Sequence, residues 1–83
     1  MAFTGGEASG QRVYETAAKG LKKVSLELGG KSPVILGESA NLEKAAKRIM
    51  AGKTLNAGQI CLAPDYAFVP KEKTRDFVQA ATS

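Results

Sequence analysis

Gly29 and Gly30 interrupt the chain between two short apolar runs, and that break decides what kind of fold the rest can build. Before it, Lys23 to Leu28 alternates, with Val24, Leu26 and Leu28 on one face and Ser25 and Glu27 on the other, the pattern of a strand with one apolar side. After it, Ser32-Pro33 opens a second run, Val34-Ile35-Leu36, which ends at Gly37 and a polar turn. Two glycines carry too much backbone freedom to continue one strand, so the runs belong to two sheets joined at a hinge.

Helical periodicity surrounds these strands. Met1 to Thr4 reads as a strand entering the glycine-rich turn Gly5-Gly6-Glu-Ala-Ser-Gly10, and a helix follows in which Val13, Ala17 and Leu21 recur every fourth residue. Gly20 is placed to supply a left-handed C-terminal cap. A second helix begins at Asn41, a good N-cap, and carries Leu42, Ala45, Ala46, Ile49 and Met50 on one face and Glu43, Lys44, Lys47 and Arg48 on the other. Its pattern loosens at Gly52 and again at Asn56-Ala-Gly58, which puts Cys61 on a turn or at the start of a new short element. Asp65 to Val69 reads as a strand, Pro70 ends it, and Thr74, Phe77, Val78 and Ala81 mark one face of a last helix. Strands alternating with helices, and no two-residue hairpin signal, predict an α/β arrangement with parallel pairing. A chain that starts in a sheet and stops within a helix is expected to be a fragment, since both ends expose edges that need partners.

Composition removes several classes of function. Of the 83 residues 43% are hydrophobic and 24% charged, ordinary globular usage that argues against disorder. Apolar runs of about four residues fall far short of the roughly 18 that span a bilayer, and no signal peptide pattern opens the chain. The net charge of +4 is spread from Arg12 to Arg75 without a dense block, and few aromatics accompany it, so no nucleic-acid surface is expected. A single cysteine forms no internal disulfide and suits a reducing compartment, with the cytoplasm as the expectation. No metal site is expected.

Three places carry possible chemistry. Cys61 is either a small buried apolar residue or a nucleophile; the small residues around it, Gly58, Ala63 and Pro64, would let a carbonyl approach the sulfur. Glu27 is either a solvent-facing strand residue or, at the end of a buried strand, a carboxylate that loses hydration and becomes a usable proton acceptor. The chain has no histidine, so a thiol–imidazole pair is impossible and Glu27 is the best-placed base on offer. The turn at Gly5 and Gly6 is either a plain turn or a set of backbone N–H groups for a phosphate. Lys31 is read as a solvated side chain.

Phe3-Thr-Gly-Gly-Glu-Ala-Ser-Gly10, Leu26-Glu-Leu-Gly-Gly-Lys-Ser-Pro33 and Asn56-Ala-Gly-Gln-Ile-Cys61, in this order, resemble three consecutive motifs of the NAD(P)-dependent aldehyde dehydrogenases. Gly52 to Tyr66 is most similar to the coniferyl aldehyde and fatty aldehyde branches. The resemblance implies a fragment that spans the end of a Rossmann-like cofactor-binding domain, residues 1–31, and the start of an α/β catalytic domain, residues 32–83, with the active site in a cleft between them. It implies Cys61 as the nucleophile that takes an aldehyde through a thiohemiacetal to a thioester, and Glu27 as the base that activates the hydrolytic water. The Cys61 backbone N–H would donate to the oxyanion. Gly5, Gly6 and the Leu28 carbonyl would meet NAD or NADP, although Gly6 stands where the family usually has serine and so loses a hydroxyl. The parent enzyme would be a homo-oligomer. Two other readings stay open: a thiol acyltransferase, and a non-catalytic module with a structural cysteine.

Overall fold

The computed structural model describes residues 1–83 as two compact units, Met1–Gly30 and Lys31–Ser83. The first unit runs β1 (Ala2–Thr4), α1 (Glu7–Lys19) and β2 (Ser25–Glu27), and β1 and β2 pair in parallel with Phe3 opposite Leu26 and Thr4 opposite Glu27. This is one βαβ crossover. Its apolar stripe differs from the periodic expectation at both ends. Ala17 is buried and Val13 half-buried, but the stripe extends back to Gly10, which lies inside α1 and not in the turn before it. A Cβ at Gly10 would come within 2.5 Å of Leu28 Cδ2, so the missing side chain is what lets Leu28 lie against the helix.

Leu21, expected on the buried face, is 93% exposed. It also takes the left-handed position that Gly20 was expected to fill: Leu21 has φ 54°, whereas Gly20 has φ −103°. The Lys22 N–H donates to the Ala17 carbonyl and the Leu21 N–H to that of Ala18, both at 3.0 Å. That is the two-bond arrangement that closes a helix when the second residue past its end turns left-handed. The helix therefore stops one residue later than the glycine suggests, with a leucine in a conformation that costs an L-residue about 1–2 kcal/mol.

The second unit runs β3 (Ser32–Ile35), α2 (Leu42–Thr54), β4 (Pro64–Phe68) and α3 (Thr74–Thr82), with β3 and β4 again parallel. It is a second crossover with an added helix. Asn41 caps α2 as its sequence predicts, its Oδ1 accepting from the Lys44 N–H at 2.9 Å. Ala46 is the buried residue of α2, which packs on α3 and β4, and Leu36 is buried just past β3. Gly52 does not loosen the helix, which continues to Thr54; a Cβ at Gly52 would sit 3.4 Å from Pro64 Cδ, so the glycine admits β4 close to α2. On α3, Phe77 and Ala81 face inward while Val78 is exposed.

The far face of the β3–β4 sheet is open. Ile35 and Phe68, opposite each other in register, are 77% and 59% exposed, and Tyr66 packs edge-on against Phe68 with ring centroids 5.4 Å apart. No large side chain is fully buried anywhere in the chain. Hydrophobic stabilisation scales with apolar area removed from water, so these residues supply little of it by themselves. No helix is long and apolar enough to cross a membrane.

Candidate functional site

Parallel strands begin at one edge of their sheet and end at the other, and this polarity sorts the candidate residues. In the first unit they collect at the carboxyl ends of the strands. Gly5 follows β1, Glu27 closes β2, and the Gly5 N–H donates to the Glu27 carbonyl at 3.1 Å. Gly5 lacks a side chain because a Cβ there would meet the Phe3 ring at 2.8 Å. Its N–H is engaged, so what Gly5 leaves to a ligand is room.

Gly6 is the N-cap of α1, with φ −70° and ψ 153°, and no side chain caps the helix. Nothing lies within 4 Å of where its Cβ would be. An uncapped helix start offers unpaired backbone N–H groups and the positive end of the helix dipole, which together suit a phosphate. The residues present therefore fit a dinucleotide pyrophosphate, with Glu7 in the first turn as the one opposing charge. Leu28, the other residue expected to meet the cofactor, is held by its packing against Gly10.

Glu27 itself is exposed, with its side chain on the opposite face from half-buried Leu26. The dehydration expected of a carboxylate on a buried strand is absent, because β2 has one neighbour strand and no cover on that side.

In the second unit the candidates collect at the amino ends. The chain leaves α2 through Asn56, Ala57 and Gly58, all left-handed with φ of 51°, 57° and 76°. Gly58 is confined further, since a Cβ would lie 3.1 Å from the Lys53 carbonyl oxygen. Three successive left-handed residues reverse the chain in one tight step. Cys61 follows on the turn Ile60–Ala63, closed by the Ala63 N–H donating to the Ile60 carbonyl at 2.9 Å. The thiol is free and exposed, so Cys61 is not a core residue of this chain.

Lys31, read from the sequence as merely solvated, places its Nζ 3.5 Å from Asp65 Oδ1, although it remains 72% exposed. Gly10 is a packing position that lies outside the candidate motifs' chemistry. The available signal was its place on the α1 stripe, three and seven residues before Val13 and Ala17.

Both units are parallel βαβ crossovers, the unit from which α/β folds are built. The aldehyde dehydrogenase family profile matches residues 1–83, and the chain belongs to that family. A probable coniferyl aldehyde dehydrogenase of Caulobacter vibrioides is 54% identical over 81 residues, which cover 98% of this chain and 17% of that protein. Among solved structures, the substrate-bound state of Staphylococcus aureus AldH matches with a TM-score of 0.93 and 47% identity, over 98% of this chain and 18% of the other. Mutant aldehyde dehydrogenase C of Pseudomonas syringae, solved with NAD+ and octanal, matches with a TM-score of 0.91 and 34% identity, over 96% and 16%. The chain thus spans about one sixth of the length of the proteins it resembles, and its fold is a part of theirs.

Proposed function

We propose that these residues form the catalytic segment of a longer NAD(P)-dependent aldehyde dehydrogenase, in which residues 1–31 belong to the cofactor-binding domain and 32–83 to the catalytic domain. The observation that carries this reading is the chain's one thiol, exposed on a turn, in a sequence that matches the aldehyde dehydrogenase family throughout.

The Cys61 thiolate attacks the aldehyde carbon, forming the C–S bond and moving the carbonyl electrons onto oxygen. The backbone N–H of Cys61 donates to that oxyanion; losing a donor of this kind typically costs about 10²–10³-fold in rate. Passage of the tetrahedral adduct to a thioester needs a hydride acceptor, the chemistry that a bound NAD or NADP would supply. Glu27 then takes a proton from water, the hydroxide adds to the thioester carbon, and the C–S bond breaks to release the carboxylic acid and restore the thiolate. Covalent capture divides one hard displacement into two easier steps. Gly6 and the first turn of α1 would hold the cofactor's pyrophosphate, Gly5 would keep the approach clear, and the Leu28 carbonyl would meet the nicotinamide amide. The similarity to coniferyl aldehyde dehydrogenase supports an aromatic aldehyde as substrate.

In the full-length enzyme, Cys61→Ala is expected to abolish aldehyde oxidation. Glu27→Gln is expected to form the thioester at a normal rate and release acid at least 100-fold more slowly, within the range of general-base contributions of about 10²–10⁴. A burst of NADH equal to one enzyme equivalent, followed by slow turnover, is the signature. Acid release at the normal rate in Glu27→Gln dismisses the base, and thioester formation without oxidised cofactor would point to acyl transfer. The isolated 83 residues are expected to produce no NADH from aldehyde.

A further inference from the structure

The amino ends of β3 and β4 lie side by side, with Ser32 opposite Pro64, but the next pair is Pro33 with Tyr66. Asp65 is thus an extra residue in β4, a bulge at the point where the strand leaves the Cys61 turn. Bulges bend a strand and re-aim what precedes and follows them. The ladder here is also short of donors, because Pro33 and Pro64 bring no N–H to it. Across this weak end the Lys31 ammonium meets the Asp65 carboxylate at 3.5 Å. Lys31 is the first residue past Gly29-Gly30, and Asp65 is the second past the Cys61 turn. The pair therefore ties the chain just past Gly29-Gly30 to the strand that follows the Cys61 turn.

We propose that Lys31 and Asp65 are positioning residues: their ion pair holds the bulge at the start of β4 and so sets the direction in which the turn presents Cys61. This rests on Cys61 being the nucleophile. Contacts as exposed as this one, 72% and 35% for the two side chains, add little to stability, so losing the pair should leave folding intact and shift the placement of the turn only modestly. Placement is costly in catalysis, where a misfit of about 1 Å can remove a factor of 10².

The test compares Lys31→Met and Asp65→Asn in the full-length enzyme. Both are expected to lower kcat by about two- to fivefold, the most that a pair this exposed can enforce, with the KM for the dinucleotide and the melting temperature little changed. Lys31→Arg should keep most of the rate, and the reversed pair, Lys31→Asp with Asp65→Lys, should recover part of it. The rate at which iodoacetamide labels the Cys61 peptide provides a second reading. Loss of positioning moves that rate the same way in both variants, whereas a simple field effect on the thiol moves it in opposite ways. Opposite shifts overturn the proposal, as do wild-type kcat values in both variants or a loss that tracks the melting temperature and is not recovered by reversal. If Cys61→Ala is inactive while both variants run at the wild-type rate, only the positioning role fails. If Cys61→Ala retains its activity, the nucleophile and everything resting on it fail together.

Discussion

Both units are βαβ crossovers with thirteen-residue connecting helices, yet they finish those helices in opposite ways. In the first unit α1 starts bare at Gly6 and ends in a closed two-bond turn at Leu21; in the second, α2 starts capped by Asn41 and ends in the left-handed run that leads to Cys61. α1 is thus bare at its start and closed at its end, whereas α2 is capped at its start and runs on at its end through a 3-10 turn, Leu55–Gly58, with the Leu55 N–H donating to the Ala51 carbonyl. The candidate residues gather at the bare start of α1, after β1, and just past the turn that ends α2, before β4. A bare helix start leaves backbone N–H groups to a ligand, while a turn whose backbone is already bonded can only place the loop that follows it.

The comparison breaks most readily at the left-handed run that ends α2. Gly58→Ala adds a Cβ at φ 76° and 3.1 Å from the Lys53 carbonyl oxygen, so it is expected to cost about 2 kcal/mol, an αL penalty plus a backbone clash, and to lower the oxidation rate by disturbing the turn behind it. Chemical denaturation together with steady-state kinetics would read both. Wild-type stability would mean that the left-handed run relaxes without consequence. The capped start of α2 is next: Asn41→Ala removes the acceptor for the Lys44 N–H and should destabilise by about 1 kcal/mol with kcat unchanged.

Two smaller changes sharpen the contrast in the first unit. Leu21→Gly relieves a left-handed leucine and should stabilise by up to about 1 kcal/mol, visible as a higher denaturation midpoint. A loss instead would show that the leucine packs against another part of the full-length protein. Gly6→Ser has open space for its side chain and should add only a few tenths of a kcal/mol as a cap. Its more telling effect is on the dinucleotide, whose binding, followed by calorimetry, should tighten as the hydroxyl supplies a further donor. Weaker binding would mean that the bare backbone N–H groups are themselves the contact and that the serine competes for them.

Much of the local structure was legible because its causes are local. Val24, Leu26 and Glu27 alternate over a few residues, and Asn41 sits three residues before the N–H it caps, so both features are complete within a short window of sequence. The turn at Cys61 was legible for the same reason, from Asn56-Ala-Gly58 just before it. Gly20 misled because glycine usually takes the left-handed cap, yet the hydrogen bonds from Leu21 and Lys22 settle the helix end one residue further on. Gly52 misled because glycine weakens helices, and here it is present to admit Pro64.

The sequence alone determined the element types, the parallel α/β class, the break near Gly30 and the likeness to the aldehyde dehydrogenases, since periodicity, turn residues and motif order are all written along the chain. Tertiary structure alone decided the bulge at Asp65, its meeting with Lys31, the closeness of Leu28 to Gly10, and the exposure of Glu27 and Cys61. Those depend on the register between strands whose paired residues lie 23 to 33 positions apart and on which faces find cover. Pairing energy between distant segments leaves no period in the sequence from which it could be read.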